Sequence, residues 1–213
     1  MYPYRSVSTI LSAVAAFPGI DMETVFIANA QRSSGEMWEE IIGMSVSEVG
    51  RRWGMSEREC LDKIIHEDPS TMGVGELMSE EDVEAFLKEP WISIGSDGIE
   101  DKEGNPHPRV TGTFPRVLGR YVREKKLMSL GEAVAKMTGL PATRLMLRER
   151  GFIRKRFFAD ITLFDPDTVL DASTYTEPHL PPKGIPHVMV NGQWALEDGE
   201  ITESRGGRAI RQH

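Results

Sequence analysis

Hydrophobic positions between residues 46 and 87 recur at steps of three and four, the spacing that places side chains on one face of an α-helix. The apolar stripes comprise Val46, Val49 and Trp53, then Leu61, Ile64 and Ile65, then Val83, Phe86 and Leu87. Each stripe follows a serine with a carboxylate three residues later, at Ser45, Ser56 and Ser79. A hydroxyl at the N-cap satisfies a backbone amide that the first helical turn leaves without a partner. We therefore expect helices that begin at these serines.

The next segment, Trp91–Ile94, has a different pattern. It is short, apolar and rich in β-forming residues, and Pro90 precedes it. The turn Gly95–Gly98 ends it and carries one carboxylate, Asp97. This arrangement predicts a short buried strand that runs into a glycine-bracketed turn.

Helical spacing resumes after a polar loop. It extends over Val110–Lys126 and begins again at Ser129, which has Glu132 three residues later. We expect that second helix to end with Gly139 as its C′ residue, and a further helix to start with Pro141 in its first turn.

The last sixty residues favour antiparallel strands. Ala159–Phe164 alternates between apolar and polar residues, while His187–Val190 and Gln193–Leu196 flank the dipeptide Asn191-Gly192. Asn-Gly between two apolar runs is a strong signal for a two-residue hairpin turn. Asp198-Gly199 offers a second tight turn. A small antiparallel β unit is therefore predicted.

Composition excludes several classes of protein. The 213 residues carry 25 basic and 33 acidic side chains, a net charge of −8, which argues against binding to nucleic acid. The mean hydropathy is −0.33, and no run approaches the ~18 apolar residues of a membrane span. The lone cysteine, Cys60, cannot form an intrachain disulfide and is expected to be a buried, inert thiol. With no signal-peptide pattern at Met1, we expect a cytoplasmic protein.

Asp97 and Arg109 are the candidate chemical groups. A carboxylate at the carboxyl end of a strand in an α/β fold points to the edge where ligands and metals bind, although Ser-Asp-Gly is equally typical of a plain turn. The Arg109 guanidinium suits a carboxylate ligand, although a loop arginine is often only solvated. The remaining histidines lack metal-ligand spacing and are expected to be structural or exposed: His66, His179, His187 and His213.

Several ordered strings resemble the C-terminal part of the N-acyl-D-amino-acid deacylases (D-aminoacylases), which belong to the metal-dependent amidohydrolase superfamily. They are Gly95-Ser-Asp-Gly98, His107-Pro-Arg109, Gly112-Thr-Phe-Pro-Arg116, Lys136-Met-Thr-Gly-Leu-Pro-Ala142 and Val190-Asn-Gly192. The resemblance covers roughly residues 93–211. It implies an α/β fold in which residues 1–150 form the C-terminal strands and helices of an incomplete, distorted (β/α)8 TIM barrel. Barrel strands are expected near Met1–Tyr4 and at Trp91–Ile94, and residues 151–213 would form part of a small antiparallel β-sandwich domain.

The same resemblance implies a zinc-dependent hydrolase that converts N-acyl-D-amino acids into a carboxylate and a free D-amino acid. Asp97 corresponds to the strand-end aspartate that ligates the metal and shuttles the proton of the attacking water. Arg109 corresponds to the arginine that grips the substrate α-carboxylate. Tyr2 and Ser8 match residues that contact the same end of the substrate, and Met78 matches a methionine of the acyl-side pocket.

The family's other metal ligands, a His-x-His, a cysteine and further histidines, have no counterpart in these 213 residues. One carboxylate cannot hold tetrahedral zinc. We therefore expect a C-terminal fragment that is inactive and metal-free alone and that self-associates through exposed sheet edges. Two alternatives remain. One is a structural, subunit-like domain that completes a site on another chain. The other is a cyclic-amide hydrolase of the hydantoinase or dihydropyrimidinase type, which shares Asp97 but not the His-Pro-Arg string.

Overall fold

A computed structural model describes residues 1, 3–99, 102 and 104–210. The α-helices are α1 Leu11–Ala15, α2 Val46–Trp53, α3 Glu57–Glu67, α4 Glu80–Lys88, α5 Arg109–Arg116, α6 Leu130–Met137 and α7 Gly139–Arg144. A 3₁₀ turn covers Met22–Thr24, and a π-helix covers Val117–Glu124. The strands are β1 Ser6–Ile10, β2 Val25–Asn29, β3 Met72–Glu76, β4 Ile161–Leu163, β5 His187–Val190, β6 Gln193–Glu197 and β7 Glu200–Ile201. The mixed α/β class is as expected.

The first sheet was not predicted. Its order is β1-β3-β2, and both pairs are antiparallel. The central strand contains Gly73 and Gly75, which disfavour strands in sequence-based reasoning. Their role is long-range packing, because a Cβ on Gly73 would lie 2.8 Å from Leu11 Cδ1, and one on Gly75 would overlap Val14. Glycine therefore lets α1 lie directly on the sheet.

The chain forms two separate hydrophobic cores. We call residues 6–76 the first unit, because its core is built entirely from side chains between Leu11 and Ile64. We call residues 79–210 the second unit, whose core contains Val83, Leu87, Tyr121 and Val169. Two bonds close the first unit at its base, since the amides of Leu77 and Met78 both donate to the Arg5 carbonyl at 2.9 Å. The predicted division at residue 150 stays a prediction.

The serine caps are confirmed. Ser45, Ser56 and Ser129 each form a reciprocal capping box with the glutamate three residues later. Ser79 Oγ accepts from the Asp82 amide at 3.0 Å and caps α4, but this pair does not form the reciprocal bond of a complete capping box. One member of the predicted apolar stripes is wrong: Phe86 is 49% exposed.

The strand predicted at Trp91–Ile94 is wrong. Trp91 lies in a turn and is 58% exposed, and the Ile92 amide donates back to Glu89 at 3.1 Å. Only Ile94 is buried, and its amide donates to the Lys136 carbonyl at 3.1 Å, in a helix rather than a strand. The strand expected near Met1–Tyr4 is also not formed by its described residues, because regular pairing begins at Ser6.

The helix predicted over Val110–Lys126 is confirmed as far as Glu124, but its geometry changes along its length. Pro115 lies inside α5, and the following turns widen into the π-helix, in which the Lys125 amide reaches Arg120 at 2.8 Å. Proline has no amide to donate, which disturbs the regular ladder. Gly139 does not act as a left-handed C′ residue; it begins α7, and a Cβ there would lie 2.7 Å from Phe152.

The predicted C-terminal hairpins are confirmed. The second sheet has the antiparallel order β4-β5-β6-β7. Asn191 and Gly192 adopt φ of 49° and 80°, and Asp198 and Gly199 adopt 51° and 83°. Two successive left-handed residues make the mirror-image turns that match strand twist. Among the described strands, β4 and β7 form the outer edges of this sheet.

A groove of about 1630 Å³ separates this sheet from α5 and α6. Aromatic and aliphatic side chains line it, among them Phe114, Phe152, Phe158 and Val188. At its rim, Ile153 is 91% exposed and Ile201 is 85% exposed. No helix in the described part of the chain is long and apolar enough to cross a membrane.

Candidate functional site

Asp97 and Arg109 lie against each other. Asp97 adopts a left-handed φ of 51° in an irregular segment, and Arg109 is the first residue of α5. Arg109 Nη2 lies 2.9 Å from Asp97 Oδ2, and Arg109 Nε donates to the Asp97 carbonyl at 2.9 Å. Gly98 permits this approach, because a Cβ there would lie 2.9 Å from Val110 Cα. The structure thus brings two of the predicted site residues together.

The two side chains differ in their access to solvent. The Arg109 side chain is only 5% exposed, whereas that of Asp97 is 67% exposed. A buried arginine held by two bonds has a defined orientation, and its planar fork suits a carboxylate. The exposed carboxylate of Asp97 remains accessible to a ligand, a metal or a water.

A buried histidine, His107, contacts the backbone of Arg109. His107 is 3% exposed, and its Nδ1 accepts the Arg109 amide hydrogen at 2.9 Å. Its Nε2 lies 2.7 Å from Ser6 Oγ, which in turn lies 2.6 Å from the Tyr175 hydroxyl. Burial, reinforced by the Arg109 charge, lowers the pKa of His107 to about 3, so the ring is neutral at physiological pH.

A second buried cluster lies behind the first. Arg116 Nη1 contacts Asp171 Oδ2 at 2.8 Å, and its Nε donates to the Pro3 carbonyl at 2.9 Å. The Arg116 guanidinium also lies 4.5 Å above the Tyr4 ring, whose hydroxyl donates to Asp171 at 3.4 Å. This cluster connects the start of the chain to α5 and to the segment after β4.

Sequence reasoning missed His107, Ser6 and Tyr175. His107 is two residues from Arg109, and that adjacency could have marked it. Ser6 lies on the same face of β1 as Ser8, because alternate residues of a strand point the same way. Nothing local distinguishes Tyr175, which the fold brings across from the segment between β4 and β5.

The other predicted site residues have different surroundings. Tyr2 lies outside the described residues. Ser8 is half-buried in β1, opposite Val74. Met78 packs against the core of the second unit, and its carbonyl accepts from Arg5 Nε at 3.1 Å. Their roles in binding substrate stay predictions.

The remaining candidates are structural or exposed where the structure describes them, and His213 lies outside the described residues. Cys60 is fully buried, and burial raises the pKa of its thiol to about 11, as expected of an inert cysteine. His179 Nε2 lies 3.0 Å from the Gly104 carbonyl. His187 Nδ1 accepts the Asp198 amide at 3.2 Å. Within the described residues, no three His, Cys, Asp or Glu side chains converge to hold a metal, so this part of the protein does not fit a complete metal site.

A profile described as the amidohydrolase family matches residues 47–195. This chain belongs to that family. It is 36% identical over 212 residues to an N-acyl-D-glutamate deacylase of Alcaligenes xylosoxydans xylosoxydans, covering 100% of this chain and 41% of the relative. It is 39% identical over 171 residues to a D-aminoacylase of the same organism, covering 80% of this chain and 34% of that enzyme. The resemblance to the deacylases is therefore confirmed.

Solved structures agree. A D-aminoacylase with a binuclear metal center superimposes with a TM-score of 0.83 at 34% identity, covering 99% of this chain and 42% of that one. The N-acyl-D-glutamate deacylase of Bordetella bronchiseptica, complexed with zinc and a phosphonate mimic of the tetrahedral intermediate, gives a TM-score of 0.76 at 32% identity, covering 96% and 42%. This chain thus spans about two-fifths of the length of these relatives.

Proposed function

We propose that this chain is the C-terminal part of a zinc-dependent hydrolase that cleaves N-acyl-D-amino acids into a carboxylate and a free D-amino acid. The observation that carries the proposal is the 2.9 Å contact between Asp97 and Arg109. Each lies within one of the strings that resemble the deacylases, and the fold brings them to one place. The named relatives, which act on N-acyl-D-amino acids, support this substrate class.

In this proposal Arg109 binds the substrate and Asp97 transfers the proton. The Arg109 guanidinium, whose Nη2 and Nε contact Asp97 in this structure, would hold the α-carboxylate of the substrate and thereby fix the amide. Asp97 accepts a proton from the attacking water and returns it to the leaving amine, which is general acid–base catalysis by one carboxylate. Asp97 would also contribute one ligand to a zinc that polarises the amide carbonyl, with the other ligands supplied by residues outside these 213. Tyr2 and Ser8 would assist at the α-carboxylate, and Met78 would line the acyl side.

We also propose that this part of the chain contributes to a (β/α)8 barrel. The amino group of Met1 donates to the Ser93 carbonyl at 3.2 Å, and the Gly95 amide donates to the Met1 carbonyl at 3.0 Å. Met1 therefore bonds to Ser93 and Gly95, the two residues on either side of Ile94. This is the hydrogen-bond pattern of parallel strands. These bonds support a barrel edge here, completed by strands from elsewhere. A β-sandwich around the second sheet belongs to the same proposal.

The test uses the full-length polypeptide that carries this chain, assayed with zinc on N-acyl-D-amino acids and on cyclic amides. We expect turnover of the linear amides, with Asp97→Asn lowering kcat by about 10²–10⁴-fold. Arg109→Lys should raise KM more than it lowers kcat, because it removes the bidentate fork. Asp167→Asn, at an exposed loop position, is the control. Turnover of cyclic amides alone would favour the hydantoinase type, and no turnover would favour the subunit-like domain.

A further inference from the structure

The first amide of α5 is satisfied in an unusual way. The N-cap residue of this helix is Pro108, which makes no side-chain capping bond. The imidazole of His107, one residue earlier, takes that role by accepting the Arg109 amide hydrogen. The Arg109 side chain starts from this turn. A bond that fixes the Arg109 amide therefore also fixes the Cα from which the guanidinium side chain extends.

The bond to Arg109 defines the tautomer of the ring. A backbone amide only donates, so Nδ1 carries the lone pair and the ring proton lies on Nε2. Nε2–H then donates to Ser6 Oγ, which shares a hydrogen bond of 2.6 Å with the Tyr175 hydroxyl. Ser6 belongs to β1, and Tyr175 lies between β4 and β5, so three parts of the chain hold the imidazole.

The surroundings keep the ring neutral. The Tyr4 and Tyr175 rings meet it edge-on, with centroids at 5.1 Å and 5.7 Å. The charged groups that act on it are the cations Arg109 and Arg116, which oppose protonation. A protonated Nδ1 would become a donor facing the Arg109 amide, so neutrality preserves the acceptor.

We propose that His107 is a positioning residue that holds the Arg109 guanidinium at Asp97 through the first amide of α5, with Ser6 holding the other ring nitrogen, Nε2. The inference rests on the proposed function, in which that guanidinium binds the substrate carboxylate. His107 itself touches neither substrate nor the reacting atoms. It acts through the orientation of Arg109.

The first experiment needs no catalytic activity. In the labelled chain, NMR should show Arg109 Nε–H protected from solvent exchange. His107→Asn keeps an acceptor at the position of Nδ1 and should retain that protection. His107→Gln removes this acceptor and should lower the protection about tenfold, the loss expected for one hydrogen bond. Equal protection in both variants would overturn the proposal.

Ser173→Ala is the matched control. Ser173 Oγ donates to the Pro108 carbonyl at 3.0 Å, so this substitution removes a buried bond at the same helix start without touching the Arg109 amide. We expect Arg109 Nε–H to keep its protection. A loss as large as that of His107→Gln would mean general loosening and would also overturn the proposal.

The second experiment uses the full-length enzyme. His107→Gln should raise KM for an N-acyl-D-amino acid about tenfold while His107→Asn stays near wild type. The effect should vanish for an analogue without the α-carboxylate and in an Arg109→Lys background. An equal effect on the carboxylate-free analogue would contradict positioning. If the wild-type enzyme hydrolyses no N-acyl-D-amino acid, the proposed function fails, and the exchange experiment still decides the role of His107.

Discussion

The two units bury their hydrophobic residues to different degrees. In the first unit, the large core side chains Leu11, Ile27, Ile41 and Ile64 are fully buried. The second unit also has a core, around Tyr121, but the neighbouring groove leaves many large apolar side chains in contact with solvent. The exposed ones along the groove are Phe114, Phe152, Ile153, Phe158 and Ile201.

This difference shows which part of the fold closes its own hydrophobic core. The first unit closes its sheet with α1 and caps α2 and α3 with complete capping boxes. The groove of the second unit is the kind of apolar surface that marks an interface in a soluble protein. It is consistent with a chain that spans about two-fifths of the length of its relatives. The four substitution tests below probe this contrast.

The largest expected effect is on the first core. Ile64→Ala should lower the free energy of unfolding of the first unit by about 2–5 kcal/mol, because it leaves a cavity at a fully buried position. Native-state hydrogen exchange should show lost protection in α2 and α3 and retained protection in α6. Phe17→Ala, at a position 49% exposed, is the control. Equal losses in α6 would show that the two units unfold together.

The contact between the two units, where Ser6 of the first meets His107 and Tyr175 of the second, should make stability depend on pH. The pKa of His107 falls from 6.5 to about 3 on folding, so the unfolded chain binds more protons between these values. Stability is therefore complete above pH 6.5 and declines as the pH falls toward 3, by about 2 kcal/mol between pH 6.5 and pH 5. Urea unfolding at several pH values measures this slope, and His107→Asn should flatten it. An unchanged slope in the variant would assign the effect to other groups.

Helix caps allow a matched comparison at smaller cost. Ser56→Ala and Ser129→Ala each remove a complete capping box, one in each unit, and each should cost about 1 kcal/mol. Hydrogen exchange should locate each loss in its own unit. Ser34→Ala, in an exposed loop, should change nothing. If either cap variant lowers the protection of both units equally, the two units do not unfold independently.

The smallest effect on stability is expected at the groove. Ile153→Ser and Ile201→Ser alter side chains that are already exposed, so stability should change by less than about 0.5 kcal/mol. Self-association of the chain should decrease, because exposed apolar edges pair with other copies. Sedimentation velocity over a concentration series measures this, with Ile99→Ser as the control outside the groove. A wild-type chain that stays monomeric throughout would contradict the expectation.

Local physics made part of the fold predictable. The capping serines and the Asn191-Gly192 turn depend on neighbours within three residues, and the structure confirms both. The first sheet depends on Gly73 and Gly75 lying under α1, which is contact over about sixty residues and leaves no periodic signal. The strand prediction for Trp91–Ile94 failed for the opposite reason: its composition favours a strand, but no described β-strand pairs with it and its strand-like bonds, at Ser93 and Gly95, involve only Met1 among the described residues.

The candidate site divides in the same way. Asp97 and Arg109 were predicted from their strings, but their contact follows from Gly98 approaching Val110. The support of Arg109 by His107 was within reach of the sequence, because the two are neighbours. Its completion by Ser6 and Tyr175 was not, since those residues come from distant parts of the chain.

The base of the first unit has an evolutionary consequence. Because the Arg5 carbonyl accepts both the Leu77 and Met78 amides, the chain enters and leaves the unit at a single point. Close chain ends are the geometry that tolerates insertion or replacement of a whole segment, here without reordering the helices from α4 to α7. An incoming segment would have to replace the contacts between the two units, which include Ser6 with His107 and Tyr175, Phe26 stacked on Tyr175, and the Ala28 carbonyl that accepts from the Asn105 amide at 2.6 Å.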